Sequence, residues 1–243
     1  MEREEIMYIK RKAERDGYKI SLKDLYDEVL DIPTPLGYIL SETGDYSILK
    51  YKPGDIVISK FNGQSPFNHV HVRLYHKYLK NLWNPSKMDF CVIMSCTRKK
   101  PYHSSITHKT MIHYLELIRN KYYVNIDLFS ISEPMLIVPL RYEHLYPLAN
   151  YDFPPKLMEK WEKDFMIKEI AKILPKIISS TKHKVIFILP KHHYKIVSSA
   201  IEVINNASKE KITMYPYGRL AFKTLRKVYE YILDIIKFKF IEA

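Results

Sequence analysis

The sequence is poor in cysteine, in glycine and in long apolar stretches. Its 243 residues include only two cysteines, Cys91 and Cys96, too few for a disulfide framework, which favours a reducing compartment. The six glycines show neither G-x-G-x-x-G nor G-x-x-x-x-G-K spacing, which excludes a dinucleotide-binding fingerprint and a P-loop. No apolar run approaches the ~20 residues of a membrane-spanning helix, and the charged N-terminus shows no secretory signal. These absences predict a cytoplasmic protein with no membrane partner.

The composition is that of a globular protein with excess positive charge. Apolar residues make up 47% of the chain and charged residues 27%, which is ordinary globular usage. Lysine and arginine number 39 against 27 aspartates and glutamates, for a net charge of +12. Such an excess attracts phosphate backbones or acidic surfaces. Nucleic acid is therefore a candidate partner.

Two regions are predicted. Residues 1–65 read as a small α+β appendage, and residues 66–243 as an α/β core. In the appendage, charged helices are expected over 2–16 and 21–30, and short β-rich runs separated by turn signals are expected between residues 36 and 61. A basic helix is predicted over 67–83.

The core shows a regular alternation of strands and helices. Residues 89–95 form a near-continuous apolar run, the pattern of a strand buried on both faces. Further strands are predicted at 125–131, 184–189 and 211–214, and helices at 105–121, 155–179, 191–205 and 217–238. Strands separated by helices pair in parallel through right-handed crossovers. The predicted fold is a layered α/β domain with a mostly parallel sheet and flanking helices.

Ligands of open parallel sheets bind at the carboxyl ends of the strands. The four loops expected at those ends carry a thiol, several cations, histidines and tyrosines, and one carboxylate. They are residues 96–105, 132–134, 190–193 and 215–219. This collection suits an anionic, planar ligand such as a nucleotide within RNA.

Cys96 is the most distinctive residue of these loops. It follows a buried strand and precedes a predicted helix, among Arg98, Lys99 and Lys100. Cations and helix N-termini favour the thiolate, which is the form that attacks an electrophile. The alternative is a small buried residue beside solvated lysines.

Other residues are open to both functional and structural interpretations. Lys100 and Tyr102, on either side of Pro101, can clamp a phosphate and stack on a base, or form an ordinary basic turn. His108 can transfer protons or be structural. RNA contacts are expected from Arg98, Lys99, Lys191 and Arg219. A second basic stripe, on the predicted helix over 67–83, consists of Arg73, Lys77 and Lys80.

No metal or cofactor is expected. The chain lacks H-E-x-x-H and C-x-x-C motifs, and the two cysteines have no partner pair for zinc. The adjacent His192 and His193 are not expected to face one site from neighbouring helix positions.

Three stretches together resemble archaeosine synthase, the archaeal paralogue of tRNA-guanine transglycosylase. The resemblance spans residues 70–200. The first stretch is Cys96-x-x-x-Lys100-Pro101-Tyr102-x-x-Ser105-x-x-His108. The second is the segment 132–139, similar to the S-P-L-G-x-V-P segment of the family, and the third is 146–154, similar to its Y-P-A-A-N-Y-D-x-P run. Ser95 stands where the family has proline, and the glycine of the second segment is absent.

The resemblance implies an activity and its partners. The family acts on tRNA whose D-loop carries 7-cyano-7-deazaguanosine, adding an amine, free lysine for at least some members, to the nitrile. A radical-SAM enzyme then releases archaeosine. On this interpretation Cys96 attacks the nitrile, Lys100 stabilises charge and His108 moves protons. Tyr102, Ser105, Asn150, Tyr151 and Asp152 would bind the substrate base.

Two alternatives remain open. Full-length members carry a transglycosylase-like barrel and an RNA-binding domain that 243 residues cannot hold, so the chain can instead be a non-catalytic subunit that positions tRNA for a transglycosylase-like partner. A nucleobase hydrolase, with Asp152 or Glu133 as base, is the third hypothesis.

Overall fold

A computed structural model describes residues 34–60 and 64–241. This part of the chain divides into two compact units. The first unit consists of 34–60, 64–83 and Tyr142–Phe153, and the second of Asn84–Arg141 and 154–241. The helices predicted over 2–16 and 21–30 lie outside the described residues. None of the described helices is both long and apolar enough to cross a bilayer.

The first unit is mainly helical. Its elements are α1 (Pro35–Thr43), a 3-10 turn (Tyr46–Lys50), β1 (Ile58–Ser59), a 3-10 turn (Pro66–Asn68), α2 (Val70–Asn81) and β5 (Tyr151–Asp152). The short strands β1 and β5 pair in parallel. The predicted basic helix is thus confirmed as α2.

The prediction of β-rich runs at residues 37–40 and 46–51 is wrong, because these residues form α1 and a 3-10 turn. Thr34 caps α1 by accepting a hydrogen bond from the Gly37 amide at 3.0 Å, and Pro35 occupies the first turn. Gly44 ends the helix in the left-handed conformation, at φ 62°. These end signals outweigh the β propensity of the residues between them.

The boundary between the units differs from the one expected at residue 65. Helix α2 packs on α1 within the first unit, where its buried Val72, Tyr75 and Leu79 form part of the core. The chain returns to this unit at Tyr142–Phe153.

The second unit is the predicted α/β domain. Its strands are β2 (Met88–Ser95), β3 (Ile126–Ser132), β4 (Leu136–Pro139), β6 (Thr181–Pro190) and β7 (Ile212–Tyr217). Its helices are α3 (Ile106–Tyr122), α4 (Lys160–Ser180), α5 (Lys191–Glu202), α6 (Asn206–Lys209) and α7 (Phe222–Ile241). The four predicted strands and the helices between them are confirmed to within a few residues.

The sheet has the order β4-β3-β2-β6-β7. All its pairings are parallel except that of β3 with β4, which was not expected. The central strand β2 lies between β3 and β6, with Ile93 opposite Phe129 on one side and Phe187 on the other. Strand β2 is therefore buried on both edges as well as on both faces.

Helices cover both faces of the sheet. On one face, α3 and α7 pack against alternate residues of the strands. This cluster includes Phe90, Val92 and Met94 from β2 and Leu225 and Val228 from α7. Helices α4 and α5 pack against each other and against β6. The layers hold the carboxyl ends of the parallel strands in fixed positions.

Candidate active site

The carboxyl ends of β2 and β6 flank the point where the chain changes direction across the sheet. From β2 the chain continues to β3 on one side, and it later adds β6 on the other side. In open α/β sheets, ligands bind in the crevice at this switch point. Cys96 directly follows β2, Glu133 follows β3, and His192 and His193 follow β6. The topology thus brings these four side chains to one edge.

Cys96, Glu133 and His193 form the centre of the crevice. The Cys96 thiol donates to Glu133 Oε2 across 3.8 Å. Glu133 Oε1 lies 2.9 Å from His193 Nε2. One donor atom from each of the three side chains lies within 4.8 Å of the other two. Cys96 is partly exposed, whereas Glu133 and His193 are buried. A partly exposed thiol, which a ligand can reach, therefore contacts a buried pair of one acidic and one basic side chain.

His192 contacts the same carboxylate. Its Nε2 lies 3.0 Å from Glu133 Oε1, and its ring packs edge-on against that of His193. The expectation that adjacent histidines cannot face one site is therefore wrong. Both residues lie in the first turn of α5, and side chains there tilt toward the helix N-terminus. A group placed beyond that end is within reach of both rings.

Glu133 and His193 form a buried ion pair. Burial raises the pKa of Glu133, but the positive charge of His193 and the hydrogen bond from His192 outweigh it, so this pKa lies below its ordinary value. Burial lowers the pKa of His193, but Glu133 and the neighbouring Cys96 thiol outweigh that effect and raise it above the ordinary value. At neutral pH the carboxylate and the imidazolium are therefore both charged.

The hydrogen bonding of His193 is incomplete. The 2.9 Å contact of its Nε2 with Glu133 is an ion pair without good hydrogen-bond alignment, and its Nδ1 has no hydrogen-bond partner among the described residues. Buried polar atoms are nearly always satisfied in native proteins. The charged imidazole, which lies beside a thiol, can therefore donate a further hydrogen bond to a ligand.

Ser95 and Tyr217 lie next to Cys96. Their hydroxyl oxygens are 2.7 Å apart, across the end of β6. Burial raises the pKa of Tyr217, so its phenol stays protonated and can donate a hydrogen bond. Both residues add polar hydrogen atoms to the crevice without adding charge.

The Tyr102–His108 segment forms a buried anchor. The Tyr102 and His108 rings stack at 5.7 Å between centroids, and both residues are fully buried. Ser105 caps α3 by accepting from the His108 amide, and its hydroxyl lies 3.1 Å from His108 Nδ1. His108 Nε2 lies 3.1 Å from the hydroxyl of Ser130 on β3. Burial lowers the pKa of His108 to about 4, so the ring is neutral and bonded at both nitrogens. This arrangement ties the loop after β2 to β3.

The basic residues expected at RNA lie along the same edge of the second unit. Arg98 and Lys99 are exposed in the loop after β2, Lys191 is exposed at the start of α5, and Arg219 is exposed after β7. Lys100 is partly buried in the loop after β2. The carboxyl edge is therefore positively charged around the thiol.

Three of the expected substrate-binding residues lie in the first unit. The Asn150 side-chain amide donates to the backbone oxygens of Lys52 and Asp55, at 2.7 and 3.1 Å. Tyr151 and Asp152 form β5, and Tyr151 is buried. These hydrogen bonds connect Asn150 to the segment that precedes β1.

His193 and Tyr217 were not predicted as site residues, and Glu133 was considered only as the base of a hydrolase. All three lie in segments that the sequence places at the carboxyl ends of strands, where a ligand is expected to bind. The missing information was strand order, which decides which loops meet.

The central cluster also has metal-binding character. A thiolate, a carboxylate and an imidazole are all zinc ligands in proteins. Cys96, Glu133 and His193 come from three loops, so no sequence motif announces this ligand set.

A family model described as a domain of unknown function, DUF5591, matches residues 72–227. The chain belongs to this family. The match includes every residue of the site just described in the second unit.

Two curated relatives of this DUF5591 protein are archaeosine synthase subunits alpha. The one from Methanosarcina acetivorans is 29% identical over 83 residues, and the one from Thermoplasma acidophilum is 30% identical over 90 residues. The matches cover 34% and 37% of this chain but only 13% and 16% of the relatives. The chain is therefore a distant and partial relative of that subunit.

One solved structure is also similar. It is the crystal structure of AF0587, described as a protein of unknown function, with a TM-score of 0.44 and 18% identity. The similarity covers 65% of this chain and 49% of that one.

Proposed function

We propose that this DUF5591 protein takes part in archaeosine biosynthesis, as an enzyme or enzyme subunit that adds an amine to the nitrile of 7-cyano-7-deazaguanine in the tRNA D-loop. The relationship to archaeosine synthase subunit alpha supports the pathway. The observation that carries the chemistry is the Cys96 thiol, placed at the switch-point crevice against the Glu133–His193 ion pair.

The reaction proceeds through two additions. The Cys96 sulfur attacks the nitrile carbon, one C–N π bond breaks, and the nitrogen takes a proton, giving a thioimidate. An amine then adds to the same carbon, and the thiolate leaves with its electron pair. The amine loses a proton and the sulfur regains one. The net change joins a nitrile and an amine into an amidine, with no oxidant or reductant.

The basic carboxyl edge would bind the tRNA. Arg98, Lys99, Lys191 and Arg219 carry charge that attracts phosphates without reading sequence. Lys100, in the loop after β2, would stabilise negative charge as the nitrile reacts. Free lysine is the proposed amine donor.

Tyr102, Ser105 and His108 take a different role in this proposal from the one expected. Because Tyr102 and His108 are buried and His108 is neutral, they would position the Cys96 loop through Ser130. Base binding by Tyr151 and Asp152, like that by Asn150, stays a prediction.

A non-catalytic role is the second candidate. The matched segments cover only a small part of the archaeosine synthase subunits, 13% and 16% of their length. The DUF5591 protein would then hold tRNA for a transglycosylase-like chain, and a radical-SAM enzyme would complete the modification in either case.

Transfer of labelled lysine to tRNA bearing 7-cyano-7-deazaguanosine tests the proposal. The wild-type chain and the Cys91→Ala variant are expected to transfer label, and Cys96→Ala is expected to lose transfer. Cys91 is the matched control because it is buried in β2. Tight tRNA binding without transfer by any variant would favour the non-catalytic role.

A further inference from the structure

Glu133 is buried beside a thiol in a place where the fold has no need of a charge. It is 1% exposed, and His193 is 3% exposed. Removing two charges from water is costly, and a well-packed apolar pair is often as stable as a buried ion pair. The three loops that meet here could therefore be packed with apolar side chains. A charged pair in contact with Cys96 points to chemistry at the sulfur.

Cys96, Glu133 and His193 contact one another through different atoms. The thiol hydrogen is directed at Glu133 Oε2, at 3.8 Å, whereas the other carboxylate oxygen contacts His193. His193 also lies within 4.8 Å of the sulfur, and its Nδ1 has no hydrogen-bond partner among the described side chains and backbone groups. The sulfur thus has a proton acceptor, Glu133 Oε2, and a proton donor, His193, as two separate neighbours.

We propose that Glu133 is the base that takes the Cys96 proton and that His193 is the acid that protonates the substrate nitrogen. This inference rests on the proposed nitrile chemistry and adds the groups that move its protons. The S–H bond breaks toward Glu133 as the sulfur bonds to the nitrile carbon, and the imidazolium N–H bond breaks toward the nitrile nitrogen.

The second addition restores the starting state. After the first addition, Glu133 carries a proton on Oε2, and His193 is neutral because its Nδ1 has given a proton to the nitrile nitrogen. As the amine adds to the carbon, His193 Nδ1 takes the proton that the amine loses. Glu133 Oε2 returns its proton to the departing thiolate, so the thiol, the carboxylate and the imidazolium are all regenerated.

His192 acts as a positioning residue for Glu133. It contacts Oε1 at 3.0 Å, and its side chain is 31% exposed. A second hydrogen bond to the carboxylate keeps Oε2 directed at the thiol. Its loss is expected to weaken the reaction far less than loss of Glu133 or His193.

The test uses two electrophiles on the whole chain. Free 7-cyano-7-deazaguanine needs a proton donor when the sulfur adds to it, whereas iodoacetamide releases iodide and needs none. Intact-protein mass spectrometry follows both adducts over time. General acid–base groups contribute about 10²–10⁴-fold to a rate. His193→Gln is expected to slow nitrile addition by about 10²-fold or more while leaving alkylation within a few-fold.

The other variants complete the assignment. Glu133→Gln is expected to slow both reactions, His192→Gln to slow nitrile addition less than about 10-fold, and Cys96→Ala to form neither adduct. Equal slowing of both reactions by His193→Gln would overturn the acid role. Unchanged alkylation in Glu133→Gln would overturn the base role.

A measurement on the wild type remains available if a glutamine variant does not fold. Deuterated solvent is expected to slow nitrile addition more than alkylation, because both reactions transfer the thiol proton to Glu133 but only nitrile addition also transfers a proton to the substrate. Equal isotope effects would overturn the acid role. If the wild type is alkylated but forms no nitrile adduct, either with the free base or with tRNA bearing 7-cyano-7-deazaguanosine, the proposed function fails, and this result is distinct from a failure of the Glu133–His193 assignment.

Discussion

Glu133 and His193 form a buried ion pair, with Oε1 and Nε2 2.9 Å apart, that joins the loop after β3 to the start of α5. The two elements follow strands on opposite sides of β2, so the pair crosses the carboxyl end of β2, which Cys96 directly follows. This contact connects the architecture of the fold to the chemistry proposed for it.

The ion pair predicts a particular pH dependence of stability. Its carboxyl pKa is lowered on folding, so its contribution is present above the ordinary value of 4.5 and is lost as the pH falls further. Its imidazole pKa is raised on folding, so that contribution is present below 6.5 and is lost as the pH rises. The wild type and the double variant Glu133→Gln/His193→Gln should therefore differ in free energy of unfolding, and this difference should be largest between pH 4.5 and 6.5.

Urea unfolding at a series of pH values measures this difference. The single variant Glu133→Gln leaves a buried imidazole without its carboxylate and should lose about 3 kcal/mol. A difference that stays constant between about pH 3 and about pH 9 would argue against a charged pair, because this range contains the ordinary pKa values of both groups.

His108 predicts a further loss of stability in acid. Burial lowers its pKa to about 4, so stability is present above the ordinary value of 6.5 and is lost as the pH falls toward 4. A shift of this size corresponds to about 3 kcal/mol. His108→Asn keeps a polar side chain but removes the titration, and its unfolding free energy should change less between pH 7 and 4. Identical slopes for the two proteins would contradict a buried neutral histidine.

The two cysteines should differ in accessibility. Cys91 is 0% exposed in the centre of β2, whereas Cys96 is partly exposed at its end. Iodoacetamide is expected to add one group to the folded chain, at Cys96, and two groups after denaturation. Peptide mapping identifies the site. Modification of Cys91 in the folded chain would show that β2 is not buried as described.

Zinc should inhibit the reaction without being required for it. The donor atoms of Cys96, Glu133 and His193 can bind Zn²⁺, which would occupy the sulfur that attacks the nitrile. Chelation should preserve activity, added zinc should abolish it, and His193→Gln should weaken inhibition. Loss of activity on chelation, recovered with zinc, would instead make the cluster a metal centre.

The charged edge should control tRNA affinity. Lys191 and Lys182 lie on opposite ends of β6, so Lys191→Ser and the matched Lys182→Ser remove equal charge from the two edges. Each lost phosphate contact should lower the salt dependence of log K by about 0.9. We expect this change for Lys191→Ser but not for Lys182→Ser. Equal effects would indicate attraction by net charge alone.

Much of the α/β domain could be predicted because its signals are local. The apolar run of β2 and the alternation of strands and helices are visible in short windows of sequence. Strand β4 escaped prediction because its four residues follow β3 almost directly, in a Pro-bounded segment. Helix α1 is not predicted because Gly44, which ends it, is equally typical of a turn between two strands.

The site could be predicted only in part. Cys96 was visible because one strand end and its basic neighbours lie together in the sequence. The pairing of Glu133 with His193 joins positions 60 residues apart. It depends on β3 and β6 both adding to β2, and strand order does not follow from periodicity. The burial of Tyr102 and His108 has the same cause, since Tyr102 stacks on His108 and His108 contacts Ser130 of β3.

The covalent step is the central claim, and its most direct test is to trap it. The wild-type chain is incubated with tRNA bearing 7-cyano-7-deazaguanosine in the absence of amine and analysed on a denaturing gel. We predict a protein–tRNA complex that lysine discharges, that forms with Cys91→Ala and that is missing with Cys96→Ala. Lysine transfer by the wild type with no such complex, or a complex formed by Cys96→Ala, would contradict the account.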